Sequence, residues 1–298
     1  MNEKMNLLMA INKNYFPQME TLLYSLASSN NKGIDRYLMH RELTEDQVKK
    51  LDEIVCRELD GKLYEINLKD SFLDGAKIKH HFSVEMYYRI FASEYLPSDL
   101  ERILWLDADI VVIKSIKNFY FMDFCEKSMV VCAHREKNEK CEISKEAKER
   151  LKLSGEQPYF NSGVILMNLE KIRGEFNHEY TMNLILKMND ILNYPDQDIL
   201  NILYRNDVLW LDYKEYNYQI HYDWKFVNEK EHIENNVKII HYAGPAKPWQ
   251  YKSRHFSYEY YWKNYLKFGS AWDCFKIQVE SILYMFYIKT KKLKRGKK

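Results

Sequence analysis

Short apolar runs alternate with amphipathic stretches along most of the chain. Met5 to Ala10 reads as a strand, and Asn12-Lys13-Asn14-Tyr15 with Pro17 as the loop after it. Gln18 to Ser29 then carries Met19, Leu22, Leu23 and Leu26 at helical spacing. Tyr37 to His40 makes a second strand. Thr44-Glu45-Asp46-Gln47 is a capping box that opens a helix running to about Arg57. Lys62 to Asn67 follows as a third strand, and Ser83 to Leu96 as a helix halted by Pro97. Further on come a strand at Met129 to Ala133 and a short helix at Ser144 to Leu153. A strand at Phe160 to Asn168 is entered through Pro158 and a small-residue kink. Glu175 to Leu192 and the stretch headed by Asp196-Gln197-Asp198 read as helices, and Val237 to His241 as a late strand. Such alternation predicts an α/β fold, a mostly parallel sheet with helices on both faces.

At the centre lies Ile103-Leu104-Trp105-Leu106-Asp107-Ala108-Asp109. The continuous apolar run predicts a strand buried on both faces. Carboxylates at its end fall where open α/β sheets place their ligand crevice. In an extended chain Asp107 and Asp109 would point to one side, and two hard oxygen ligands there suit a divalent cation carrying phosphate. Two other readings compete. An acidic pair after a strand is often a solvated turn or a helix cap. The segment also fits the aspartyl phosphatase pattern, in which the first Asp is the nucleophile. That pattern normally stands near the chain start and needs a downstream acidic pair, which is missing here.

Composition narrows the classes. The 298 residues are 46% apolar and 15% aromatic, enough for a sizeable core, and nine Gly with six Pro leave no room for long flexible linkers. The five cysteines are scattered, without zinc-site spacing, and read as reduced thiols of a cytoplasmic protein. No stretch approaches a membrane span or a secretory signal. Residues 289–298 hold seven Lys/Arg and no acid. The rest therefore has 38 basic against 43 acidic residues, which excludes general nucleic-acid binding by the body. No Gly-rich phosphate loop is present, so any nucleotide must be held otherwise.

Taken in order, the motifs resemble glycosyltransferase family 8 over roughly residues 5 to 250. They are Asn14-Tyr15, His81-Phe82-Ser83 with Arg89, Asp107-Ala108-Asp109, Asn161-Ser162-Gly163, Asp196-Gln197-Asp198-Ile199-Leu200-Asn201, and the run from His241 to Trp249. The resemblance implies a single Rossmann-like GT-A domain at 1–250 with a helical, basic extension at 251–298. It also implies retaining transfer of glucose or galactose from a UDP-sugar to a glycan, glycolipid or glycoprotein acceptor. By it, Asp107, Asp109 and His241 hold a cation, with manganese preferred over magnesium because an imidazole is among the ligands. Asn12, Asn14, Tyr15, Arg89, Asp107, Ala108, Asp109, Asn161, Gly244 and Lys247 contact the donor. Lys247 supplies a point charge to phosphate, and Gly244 allows close backbone approach. Asp196 and Gln197 fall beside the transferred hexose. An amide at Gln197 is a poor nucleophile, which makes a same-face mechanism plausible beside double displacement.

Two positions depart from the family pattern. Asn12 stands where relatives carry Asp in the uracil-reading loop, and His134-Arg135 where many carry a carboxylate facing the acceptor. A self-glucosylating glycogenin-like primer and a catalytically silent sugar-nucleotide-binding relative remain as alternatives. Trp272, Phe275, Val279, Ile282, Leu283 and Phe286 recur at helical spacing before the basic cluster. This pattern favours docking on an anionic membrane surface, peripheral on its inner face, over a helix packed on the domain with a solvated tail.

Overall fold

The computed structural model describes residues 4–69, 84–134, 145–220, 228–245, 247–252 and 254–295. Among the described residues the strands are β1 (Met5–Ala10), β2 (Ile34–His40), β3 (Leu63–Asn67), β4 (Arg102–Leu106), β5 (Ile110–Val112), β6 (Met129–Ala133), β7 (Phe160–Asn168), β8 (Val208–Leu211), β9 (Tyr218–Gln219) and β10 (Ile239–His241). Seven of them form one sheet in the order β3-β2-β1-β4-β7-β6-β8, and β5-β10-β9 form a small second sheet. In the large sheet only β7 runs against its neighbours, pairing antiparallel with both β4 and β6. The carboxyl ends of β1, β4 and β6 therefore share one edge with the amino end of β7. The sheet is mixed and mostly parallel, as expected.

Alternation along β4 explains its central place. Ile103 and Trp105 pack in the core on one sheet face, and Leu104 and Leu106 in the core on the other. The same split places Ile165 and Met167 opposite Val164 and Leu166 along β7. The Thr44 capping box is formed, with the Thr44 side chain and Gln47 exchanging bonds at the head of the Glu45–Leu59 helix. The expected kink is also present. Pairing between β6 and β7 shifts between Val131 and Cys132, so that Ser162, Gly163 and Val164 leave the ladder.

Several predicted helices are shorter or broken. Ser83 lies outside the described residues. The rest of that stretch is a 3-10 helix at Val84–Arg89 and a single turn at Ala92–Tyr95. Tyr87, Tyr88, Ile90, Phe91 and Ala92 are all buried, and no regular helix could bury so contiguous a run against one surface. Glu175 to Leu192 divides at Phe176, where Asn177 caps a new helix at His178–Met188 by accepting from Tyr180 N. Of the Ser144–Leu153 helix, Ser144 lies outside the described residues, and the helix ends early, at Arg150.

The small sheet joins an aromatic core of Tyr218, Tyr242, Tyr258, Tyr261 and Trp262, the last three from the Tyr258–Tyr265 helix and its approach. Beyond it the Ala271–Arg295 helix begins. No helix among the described residues is long and apolar enough to cross a membrane. Cys56, Cys125 and Cys274 are free thiols.

Candidate active site

Asp107 leaves the end of β4, and the chain then turns at Ala108-Asp109 before entering β5. The two carboxylates do not meet by strand alternation, because the chain is not extended there. They meet because β5 pairs antiparallel with β10, setting Ile110 opposite His241, and Tyr242 N donates to Asp109 O at 3.0 Å. His241 Nε2 lies 3.2 Å from Asp109 Oδ1 and 3.9 Å from Asp107 Oδ2. One ligand atom from each of the three lies within 4.8 Å of the others.

Each remaining polar atom of this trio has a protein partner. Asp107 Oδ1 accepts from Trp105 Nε1 at 2.8 Å and pairs with Arg89 Nη2 at 2.9 Å. Asp109 Oδ2 pairs with Lys247 Nζ at 2.5 Å. His241 Nδ1 lies 2.9 Å from Asn217 Oδ1, while Asn217 Nδ2 donates to Asn161 Oδ1. With Nδ1 as the donor, Nε2 presents its lone pair to the carboxylates. Gly163 completes the cradle. A β-carbon there would overlap the His241 ring and stand 2.9 Å from Asp107 Oδ2. Two carboxylate oxygens and one imidazole nitrogen converging on a glycine-lined gap fit a divalent cation.

Arg89 is the hub between this trio and the 195–204 helix. It is buried, lies over the Trp105 ring at 4.3 Å, pairs through Nε with Asp196 Oδ2 at 3.1 Å, and donates to Ser162 O. Asp196 also accepts from Ser162 Oγ at 3.0 Å. Gln197 Oε1 accepts from Asn161 Nδ2 and Ser162 N, both at 3.0 Å. Its Nε2 makes no hydrogen bond among the described residues. Asp198, fully buried, accepts from Arg150, Tyr159 Oη, Asn193 N and Tyr194 N, which fixes the turn into the 195–204 helix.

Charge follows from these contacts. Burial pushes the Asp109 carboxyl up, but Lys247 and then His241 pull it down, leaving it well below the usual carboxylate range. Burial raises the Asp196 carboxyl, with Arg89 opposing and Asp107 adding to the rise. Tyr15, edge-on to Trp249, is raised by burial, while Lys247 opposes. His134, just past β6, is lowered to about 4 by burial and then by His241, against the pull of Asp198.

The structure thus brings together Arg89, Asp107, Asp109, Asn161, Asp196, Gln197, His241 and Lys247. Ala108 sits buried between the two acids, and Gly244 takes a φ of 78° in the turn leading to Lys247. Asn12 and Asn14 bond to each other at the end of β1, and no bond among the described residues joins them to the acidic pair. His81, Phe82, Ser83 and Ala246 lie outside the described residues. Sequence reasoning assigned no role to Trp105, Ser162, Gly163 or Asn217. The first three stand within or beside motifs already singled out, whereas Asn217 lies in a Tyr-rich stretch with no motif.

Comparison with known proteins agrees with this geometry. The family described as Glycosyl transferase family 8 matches residues 6–253. The lipopolysaccharide 1,2-glucosyltransferase of Escherichia coli K12 is 27% identical over 267 residues, spanning 87% of this chain and 77% of that protein. Among solved structures, the galactosyltransferase LgtC in complex with donor and acceptor sugar analogues superposes with a TM-score of 0.73. It is 20% identical and covers 90% of this chain and 97% of its own. The glycosyltransferase GlyE of Streptococcus pneumoniae gives a TM-score of 0.67 at 23% identity, over 89% of this chain and 61% of its own. The shared architecture is an α/β domain of GT-A type.

Proposed function

The chain belongs to glycosyl transferase family 8, and from that premise we propose that it moves a hexose, glucose or galactose, from a UDP-sugar to a glycan acceptor with retention of configuration. The acceptor class is a surface polysaccharide or lipooligosaccharide, in keeping with the lipopolysaccharide-directed relative. Residues 1–250 are assigned to the transferase domain and 251–298 to a helical, basic extension. One observation carries the reading. Asp107 Oδ2, Asp109 Oδ1 and His241 Nε2 turn toward one point while their other atoms are held by Arg89 and Trp105, by Lys247, and by Asn217.

That donor set would hold manganese, which would supply Lewis-acid stabilisation of the departing diphosphate. Lys247 lies close enough to exchange its partner from Asp109 to a phosphate oxygen, and Tyr15 and Trp249 wall the same approach. Asn12, Asn14 and Tyr15 are assigned to the nucleoside. Asn161, Asp196 and Gln197 are assigned to the hexose, with Arg89 tying Asp196 to Asp107.

Of the side chains assigned to the hexose, Gln197 is an amide, a poor nucleophile, with Oε1 held by Asn161 Nδ2 and Ser162 N, and Asp196 has its Oδ2 held by Arg89 and Ser162 Oγ. We therefore favour same-face transfer. The anomeric C–O bond to phosphate breaks, the incoming hydroxyl oxygen bonds to the same face, and its proton passes to the departing phosphate oxygen. Gln197 and Asp196 position the sugar during that exchange.

The test is UDP release from a panel of UDP-hexoses with manganese, comparing wild type with Asp109→Asn. Loss of a charged ligand should cut turnover by about 100-fold or more, since Lewis-acid assistance is worth several kcal/mol. The fold should survive by circular dichroism. Absence of UDP release from wild type with every sugar, or unchanged turnover in the variant, would sink the reading.

A further inference from the structure

Asn217 is fully buried and bonds to both the metal trio and the residues assigned to the hexose. It closes the single turn at Tyr213–Tyr216 and leads directly into β9, whose parallel pairing with β10 sets Gln219 opposite His241. Four side chains follow one another from there. His241 Nδ1 lies 2.9 Å from Asn217 Oδ1, Asn217 Nδ2 lies 2.9 Å from Asn161 Oδ1, and Asn161 Nδ2 lies 3.0 Å from Gln197 Oε1. All four residues are buried, where a broken bond leaves its partner atoms unsatisfied.

Two backbone groups give this line a direction, because a peptide N–H can only donate. Ser162 N bonds the Gln197 amide at 3.0 Å, so the atom it meets is the oxygen. Gly163 N bonds the Asn161 amide at 3.0 Å, so that atom is likewise the oxygen. Asn161 therefore turns its NH2 to Gln197 and its oxygen to Asn217. Asn217 must then offer its own NH2 to Asn161 and its oxygen to the imidazole. His241 answers with an Nδ1–H, and in the neutral ring this leaves the Nε2 lone pair facing Asp107 and Asp109. At the other end Gln197 Nε2 is left over, a buried NH2 with no hydrogen-bond partner among the described residues.

We propose that Asn217 is a positioning residue that fixes both which nitrogen of His241 is open to a cation and which end of the Gln197 amide faces the hexose. The sugar then meets an amide donor at Gln197 and answers with an oxygen lone pair. The inference rests on the transferase reading of the site and adds to it a residue that acts through two others.

Asn217→Asp separates the two ends of the line. One carboxylate oxygen still accepts from His241 Nδ1, and a carboxylate behind a histidine supports it as a metal ligand. The other oxygen cannot donate, so two acceptors face each other across the 2.9 Å to Asn161. Turning the Asn161 amide over does not cure this. Its oxygen would then face Gln197 Oε1, and Gly163 N would lose its acceptor.

The test measures manganese affinity by calorimetry, kcat and KM for UDP release, and melting temperature in wild type, Asn217→Asp and Asn217→Ala. Asn217→Asp should bind manganese at least as tightly as wild type, while kcat falls about tenfold or more through the unsatisfied buried amide. Asn217→Ala should lose about 10–100-fold in manganese affinity as well. Affinity and kcat that fall together in both variants would overturn the inference. So would a lowered melting temperature with both quantities unchanged, since that is all a structural asparagine would give. If Asn217→Asp does not fold, Asn217→Ala decides: weakened manganese binding supports the inference, and wild-type affinity overturns it. Wild type that neither binds manganese nor releases UDP overturns the transferase reading itself, and the inference with it.

Discussion

Gly163 and His241 face each other so closely that a β-carbon on Gly163 would overlap the imidazole Cε1. The strand therefore needs glycine here for space and not for an unusual backbone angle. Gly163→Ala must push His241 or Asp107 off the common point. Displacing a metal-holding side chain through a neighbour typically costs 10–100-fold in affinity or activity. Manganese titration by calorimetry, with UDP release alongside, should report a loss of about that size, with overpacking costing roughly 1–3 kcal/mol of stability. Wild-type metal affinity in this variant would mean that His241 is not a ligand.

If a cation bridges Asp107, Asp109 and His241 to a diphosphate, UDP and the cation must raise one another's affinity by the same factor. A coupling of about 1–3 kcal/mol, or roughly 5–150-fold, is expected. Calorimetric titration of UDP before and after EDTA treatment measures it. Melting temperature should rise more with both ligands than with the sum of each alone. Equal UDP affinity with and without metal would remove the bridge.

His134 gives the protein a pH dependence on the acid side. Burial, then His241, lower its pKa to about 4, against 6.5 in a free chain, and its Nδ1 has no partner among the described residues. Between these values the unfolded chain binds the proton and the folded chain does not. The stability contribution is thus complete above pH 6.5 and is lost as pH falls toward 4. Its ceiling is about 3 kcal/mol, from 1.36 kcal/mol for each pKa unit. His134→Gln should flatten urea midpoints compared at pH 7, 5.5 and 4.5. Parallel midpoint curves for the two proteins would place the ring in water.

Legibility in the sequence followed the length of each signal. β4, β7 and the capped helix at Thr44 carry long apolar runs or a paired cap, and their positions follow from local chemistry. The break at Arg89 does not. That residue leaves a helical path because its guanidinium bonds Asp107, Asp196 and Ser162 O, partners far away in sequence. β10 was legible as the late strand ending at His241, but β5 and β9 span three and two residues, too few for any periodicity, and it is β5 that sets His241 against Asp109. The metal trio was therefore readable only through its motifs. The amide relay from Gln197 through Asn161 and Asn217 to His241 was not readable, because Asn217 sits in no pattern.

Arg36 is a liability that a single substitution can remove. It lies on β2 in the core between the sheet and the first two helices, 1% exposed, beside a small cavity lined by Met19, Leu23, Leu38 and Leu51. None of its three guanidinium nitrogens has a partner among the described residues. Burial lowers its pKa to about 9, with Asp35 opposing. Because the folded value lies below the unfolded one, the unfolded chain holds the proton more tightly. The penalty is complete below pH 9 and fades only as pH climbs toward 12.5. Arg36→Met keeps the volume and removes the charge. Replacing buried ionic groups by packed apolar ones is often neutral or stabilising by about 1–4 kcal/mol. Scanning calorimetry at pH 7 should then show a melting temperature raised by several degrees, with the gain shrinking above pH 9. UDP release should be unaffected, since Arg36 touches none of the site residues. A lower melting temperature in Arg36→Met would reveal that the guanidinium has a partner whose loss costs more than the charge.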